Sequence, residues 1–127
     1  VIDLSQVEPD LEASPSLLDP FITKSGITLI YADSSAGKSM FVLAAALSVA
    51  TGLDFLGATP EQTGNVLYLD YEDTKDTLAE RASALLAGQQ VYEFPSDKFF
   101  YASMERLLST KKGSFGARYA ITKSSWL

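Results

Sequence analysis

The chain has 127 residues, of which 46% are hydrophobic and 20% charged, and its formal net charge is −6. This size favours one domain with an apolar core. The sequence contains neither cysteine nor histidine, which excludes disulfide scaffolds, haem attachment, Ser-His or Cys-His catalysis and the usual zinc ligands. Any metal must therefore be bound through oxygen.

Charge is unevenly distributed along the chain. Acidic residues predominate through the first hundred residues, whereas the last 27 contain half of the basic residues and a single acid, Glu105. A basic segment of this kind can contact nucleic acid or lie in solvent, and its composition leaves both interpretations open.

The first half of the chain predicts an irregular segment, a strand and a helix. Residues 1–25 mix proline, serine and acids with short apolar pairs and show no sustained period. Residues 27–31, Ile-Thr-Leu-Ile-Tyr, are typical of a buried strand. Residues 38–51 predict a helix that is apolar nearly all round, so we expect it to be enclosed, and Gly52 is a suitable stop.

The second half continues the alternation. Residues 65–70 predict a second buried strand, residues 74–87 a helix followed by Gly88, and residues 98–102 a third strand. Strands that alternate with helices indicate a parallel sheet with right-handed crossovers. The predicted core covers residues 26–102.

Residues 103–127 form the basic C-terminal segment. Within it, residues 117–123 alternate between apolar and polar side chains and predict a late strand of the same domain. No apolar run after residue 102 ends in an aspartate.

The sharpest motif is Ala-Asp-Ser-Ser-Ala-Gly-Lys-Ser at residues 32–39, between the first predicted strand and the first predicted helix. A small residue, four arbitrary residues and Gly-Lys-Ser form a phosphate-binding loop, although Ala32 stands where glycine is commonest. Small residues let backbone N–H groups surround a phosphate, lysine reaches the β- and γ-phosphates, and serine offers its hydroxyl to Mg²⁺. The predicted nucleotide-binding residues are Ser34, Ser35, Ala36, Gly37, Lys38, Ser39 and Met40, with Ser39 also a metal ligand.

An acidic cluster follows the second predicted strand. Asp70, Glu72 and Asp73 stand at its carboxyl end, where open α/β sheets bind ligands. Two interpretations stay open: Glu72 serves catalysis, or Asp73 caps the next helix and Glu72 lies in its first turn as acids commonly do.

With these motifs in place, residues 26–86 resemble RecA-like ATPases, in particular the RepA-type hexameric replicative helicases of plasmids and phages, which are AAA-domain ATPases. The resemblance implies a three-layer α/β/α sandwich with a mainly parallel sheet that binds ATP and Mg²⁺. It also implies that Glu72 polarises the attacking water, that Lys38 stabilises the developing charge and that Asp70 lies near the metal.

The chain departs from that family after residue 102. RecA-like cores continue with a strand ending in a metal-anchoring aspartate and with further strands, which this sequence lacks. We therefore expect a piece of a longer protein. By the same resemblance, Arg118 or Lys123 acts on a neighbouring subunit's nucleotide, or both are plain surface cations.

Three functions remain open at this point. The first is an ATP-hydrolysing motor that forms a homo-oligomeric ring on single-stranded DNA. The second is a non-catalytic nucleotide-binding scaffold or loader, and the third is a small phosphoryl-transfer kinase. We expect a cytoplasmic protein without a membrane span, because the longest apolar stretch, residues 40–50, is too short to cross a bilayer.

Overall fold

The computed structural model of the chain describes residues 4–6 and 16–104. After a 3₁₀ turn at Leu4–Gln6, two helices and four strands follow in chain order. They are β1 (Ser16–Leu18), β2 (Ile22–Thr23), α1 (Lys38–Thr51), β3 (Val66–Asp70), α2 (Lys75–Gly88) and β4 (Phe99–Ser103).

Helix α1 has the bounds that the sequence predicts. It begins after Gly37 and ends at Gly52, whose φ of 81° lets its N–H donate to the Ser48 carbonyl oxygen at 2.7 Å. Leu43 and Leu47 are buried on one side of the helix, and Ala45 and Val49 on the other. The prediction of an enclosed helix is therefore confirmed for residues 43–50, whereas Met40 and Val42 near its start are exposed.

Strands β3 and β4 pair in parallel, as the strand-helix-strand pattern predicts. Their register runs from Val66 opposite Phe99 to Asp70 opposite Ser103, so the carboxyl ends of both strands lie at one edge of the sheet. Both predicted strands lie within one residue of the observed bounds.

Helix α2 connects these strands and begins one residue later than predicted. Thr74 is its N-cap, and the Thr74 hydroxyl accepts a hydrogen bond from the N–H of Thr77 at 3.3 Å. Gly88 lies inside the final turn rather than after it, and the C-cap is Gln89.

The core has two parts, one on each side of α1. Leu43 and Leu47 of α1 pack with Leu78, Ala82 and Leu86 of α2, beside aromatic residues of the sheet. On the opposite side, Phe41 of α1 meets Phe21 and Phe55 edge to face, with ring centroids 5.0–6.0 Å apart. Helix α1 is thus the element around which the described residues pack.

The prediction of a strand at residues 27–31 is wrong for this structure. Residues 27–33 form no strand, and Ile27, Leu29 and Tyr31 are 99%, 82% and 86% exposed. A strand exists only when a neighbour pairs with its backbone, and none of the described strands pairs with this run. Apolar composition predicted the strand, but composition does not supply the partner.

The structure also differs in the segment predicted to be irregular. Strands β1 and β2 form a short antiparallel hairpin, with a cis Asp19–Pro20 bond in its turn. Leu18 at the end of β1 is fully buried in the cluster that contains Ala45 and Val49. This burial fixes the hairpin to α1.

The described residues therefore form a small α/β unit with two helices and a short parallel sheet. The predicted late strand at residues 117–123 and the basic segment that contains it lie outside the described residues. Neither α1 nor α2 is long and apolar enough to cross a membrane.

Candidate functional site

The loop before α1 bends through two left-handed positions. Ser35 has φ 66° and Gly37 has φ 90°, and Ala36 between them is not among the positive-φ residues. Alternating handedness of this kind turns successive N–H groups toward one side of the chain and forms an anion-binding concavity. The φ at Gly37 explains the requirement for glycine, since other residues adopt it only with strain.

The N-terminus of α1 opens onto this loop without a side-chain cap. Gly37 is the N-cap and supplies no side-chain hydrogen bond to the first turn. The first N–H groups of a helix have no partner inside the helix, and the helix dipole places partial positive charge there. Lys38, Ser39 and Met40 thus bring their backbone donors to a position suited to an anion.

The Lys38 side chain folds back over the loop. Its Nζ donates to the carbonyl oxygens of Ala32 at 2.7 Å and Asp33 at 2.8 Å. The loop is closed further by the Ala36 N–H, which donates to the Asp33 carbonyl oxygen at 3.2 Å. These contacts hold the ammonium group beside the concavity.

A cavity of about 400 Å³ brings the loop, the start of α1 and two residues from beyond β3 together. The loop and helix supply most of its lining, and Glu72 and Arg81 supply the rest. The lining residues are Ser34, Ser35, Gly37, Lys38, Ser39, Met40, Glu72 and Arg81.

The carboxyl end of β3 positions Glu72. The Asp70 side chain accepts hydrogen bonds through Oδ1 from the N–H of Glu72 at 3.0 Å and of Asp73 at 3.4 Å. This is a turn that an aspartate stabilises with its own side chain. Glu72 is exposed and lines the same cavity as the phosphate-loop residues.

Asp73 anchors the next part of the turn. Its carboxylate forms an ion pair with Arg81 of α2, and its carbonyl oxygen accepts a hydrogen bond from the Tyr101 hydroxyl at 3.0 Å. The neighbouring Tyr68 hydroxyl has a raised pKa because of burial and, secondarily, the negative charges of Asp70 and Asp73, which Arg81 partly offsets.

Most of the predicted site residues line one cavity. Ala36 and Asp70 are the exceptions, since Ala36 bonds within the loop and Asp70 stabilises the turn after β3. The interpretation in which Asp73 caps α2 is wrong, because Thr74 is the N-cap.

Arg81 is the lining residue that sequence reasoning did not find. Arg81 is the seventh residue of α2 and follows Asp73 by eight positions. The sequence signal that could have found it is its place on the helix, away from the buried residues Leu78, Ala82 and Leu86.

These residues suit a phosphate ligand. The cavity combines backbone donors at a helix N-terminus with two cationic side chains, Lys38 and Arg81, which are the donors that phosphate oxygens require. The Ser39 hydroxyl is an oxygen ligand of the kind that Mg²⁺ prefers. Among residues 4–6 and 16–104, however, no three acidic side chains converge as a metal-binding group.

Comparison with protein families gives one result that decides the classification. A family model described as an AAA domain matches residues 2–122. The chain belongs to the AAA domain family. Searches of curated proteins and of solved structures gave no match.

Membership in the AAA domain family agrees with the cavity just described. The matched region extends on both sides of residues 26–86, which carry the sequence resemblance, and includes most of the basic segment. The chain thus has an AAA-type, ATPase-like domain, for which ATP binding is the general expectation.

Proposed function

We propose that the chain binds ATP together with Mg²⁺ in the cavity between the phosphate loop and Glu72, and that it hydrolyses the γ-phosphate. The observation that carries this proposal is the shared cavity. It places the α1 N-terminus and Lys38 together with the one carboxylate, Glu72, among the described lining residues. An anion cradle and a facing carboxylate are the two parts that phosphate hydrolysis needs.

The phosphate loop provides binding. The backbone donors between Ser34 and Met40 hold phosphate oxygens, and Lys38 turns from the Ala32 and Asp33 carbonyl oxygens toward the bound phosphates. Mg²⁺, when bound, neutralises phosphate charge, and the Ser39 hydroxyl is the residue suited to hold it. Asp70 is the second proposed metal neighbour.

Glu72 orients the attacking water. Its carboxylate accepts a hydrogen bond from a water molecule and aligns that water with the γ-phosphorus. The water oxygen forms a bond to phosphorus while the bond to the β–γ bridging oxygen breaks, and the products are ADP and inorganic phosphate. The turn held by Asp70 keeps Glu72 facing the cavity.

The resemblance to RecA-like proteins supports a more specific role. We propose that the complete domain is a three-layer α/β/α sandwich in a homo-oligomeric ring, and that it couples ATP hydrolysis to movement on single-stranded DNA in the cytoplasm. The parallel β3-α2-β4 unit supports this fold. The basic residues proposed to reach a neighbour's nucleotide, Arg118 and Lys123, lie outside the described residues.

A second candidate is a nucleotide-binding scaffold that does not hydrolyse ATP. Asp70 favours it, because Oδ1 is already occupied by two N–H groups of the turn, and no three acids of the described residues form a metal-binding group. Such a module would bind Mg-ATP and respond to it by association with a protein partner.

Titration of the chain with Mg-ATP tests the proposal, followed by measurement of phosphate release with and without single-stranded DNA. Lys38→Ala removes the ammonium at the loop, and Lys24→Ala, at an exposed lysine outside the cavity, is the matched control. We expect binding and phosphate release that Lys38→Ala abolishes and Lys24→Ala preserves. Binding without phosphate release would favour the scaffold, and the absence of binding would refute both candidates.

A further inference from the structure

Arg81 lies at the cavity and has no role in the proposed reaction. It lies in the second turn of α2, lines the phosphate-loop cavity and forms an ion pair with Asp73. Among the described residues that line this cavity, Lys38 and Arg81 are the cationic ones. They come from separate elements, Lys38 from α1 and Arg81 from α2.

The ion pair leaves much of the guanidinium available. Its contact with Asp73 uses Nη1 and Oδ2, whereas a guanidinium has five N–H donors. The Arg81 side chain is 38% exposed and that of Asp73 is 22% exposed, so the pair lies at the cavity wall rather than in the core. The free donors of Arg81 can therefore meet a ligand without loss of the Asp73 contact.

The negative charge of the turn after β3 opposes the binding of phosphate unless a cation lies beside it. Asp70, Glu72 and Asp73 stand together at the end of β3, and three carboxylates repel a phosphate that approaches Glu72. Among residues 4–6 and 16–104, Arg81 is the cation that forms an ion pair with this acidic turn. Because arginine matches phosphate oxygens with two parallel N–H donors, Arg81 is suited to bind a terminal phosphate beside Glu72.

We propose that Arg81 binds the terminal phosphate of ATP and makes the cavity select ATP over ADP, while Asp73 holds the guanidinium at the cavity wall. This inference rests on the proposed function, because it assigns a residue of the same site. ADP lacks the γ-phosphate, so Arg81 adds affinity for ATP alone. The phosphate loop binds the part that the two nucleotides share.

Dissociation constants of ATP and ADP, measured with Mg²⁺ on the chain and its variants, test the inference. Arg81→Gln should lower the ratio of ATP to ADP affinity about tenfold or more, the size expected for a hydrogen-bonded charge, with ADP affinity little changed. Arg81→Lys should restore part of the ratio, because it keeps the charge and loses the paired donors.

Asp73→Asn is the matched control, since it removes the same ion pair and leaves the guanidinium. A merely structural role for the pair predicts that Arg81→Gln and Asp73→Asn lower the melting temperature alike and leave the affinity ratio unchanged. That result would overturn the inference. We expect instead that Asp73→Asn lowers the ratio less than Arg81→Gln does, because the guanidinium keeps its donors and loses only the carboxylate that holds it.

The outcome for the wild-type chain separates this inference from the proposed function. Lys38-dependent ATP binding with an unchanged ratio in Arg81→Gln would refute the role of Arg81 alone. Absence of ATP binding by the wild-type chain would refute the proposed function and the inference together. If Arg81→Gln does not fold, a wild-type ratio in folded Arg81→Lys would overturn the inference, because lysine lacks the paired donors.

Discussion

The Asp70 carboxylate accepts a hydrogen bond from the N–H of Glu72 at 3.0 Å, so the last residue of β3 fixes the residue that faces the phosphate loop. The same oxygen, Oδ1, accepts the N–H of Asp73. A single side chain thus shapes the turn between the sheet edge and α2. This relationship gives Asp70 a positioning role that does not depend on a metal.

Substitution of Asp70 separates positioning from metal binding. Asp70→Asn keeps the Oδ1 acceptor, whereas Asp70→Ala removes it and frees the turn. We expect Asp70→Ala to lower kcat on the order of tenfold to a hundredfold, because a small displacement of Glu72 misaligns the water, and Asp70→Asn to lower it much less. Steady-state hydrolysis across a range of Mg²⁺ concentrations measures both effects. Equal losses in both variants, relieved by added Mg²⁺, would contradict positioning and favour metal binding.

Alanine substitutions at two glycines should change the free energy of unfolding in opposite directions. At Gly37 an added Cβ meets no atom within 4 Å, but φ is 90°, so Gly37→Ala should lower the free energy of unfolding by about 1–2 kcal/mol through the backbone alone. At Gly88, in the last turn of α2, the added Cβ also meets nothing and no positive φ occurs. Gly88→Ala should raise the free energy of unfolding by about 0.5–1 kcal/mol.

Denaturant unfolding of both glycine variants measures this difference. Because neither Cβ contacts a neighbour, packing contributes to neither value, and the contrast isolates backbone conformation. Equal effects of the two substitutions would show that the loop does not hold Gly37 in the left-handed region.

Alkaline pH tests the surroundings of Tyr68. Its pKa is raised above the ordinary 10.0, first by burial and then by Asp70 and Asp73. Below the ordinary pKa of 10.0, Tyr68 is neutral in both the folded and the unfolded chain. Above it, the unfolded chain releases this proton more readily than the folded chain, so the free energy of unfolding falls until the pH passes the raised pKa.

Tyr68→Phe should therefore reduce the loss of stability above pH 10. Thermal unfolding at a series of pH values measures it, and Tyr92→Phe, at an exposed side chain, is the matched control. An identical decline in the wild type and Tyr68→Phe would contradict the burial and charge described around the Tyr68 hydroxyl.

Local sequence signals predicted the elements whose backbone hydrogen bonds form within the element itself. Helix α1 has its predicted bounds because Gly37 and Gly52 adopt conformations that end helical backbone on each side. The strand prediction for residues 27–31 was wrong for the opposite reason, since a strand depends on a partner that local sequence does not encode. The hairpin was missed because β1 and β2 have three and two residues, too short for a pattern.

The candidate site was predictable where its residues are adjacent in sequence. Ser34 to Met40 follow a motif, and Glu72 follows a strand, so each position has a local signal. The approach of Arg81 to the cavity depends on how α2 packs on α1 through Leu43, Leu78 and Ala82. That packing is a tertiary property, and the sequence pattern alone could not reveal it.

Single-turnover hydrolysis of ATP by the wild-type chain and by Glu72→Gln shows whether the Glu72 carboxylate orients the attacking water. Glu80→Gln, on an exposed face of α2 outside the cavity, is the matched control. We predict that Glu72→Gln binds ATP as the wild type does and loses hydrolysis by about 10²–10⁴-fold, while Glu80→Gln keeps both. Undiminished hydrolysis by Glu72→Gln would refute the catalytic role of Glu72.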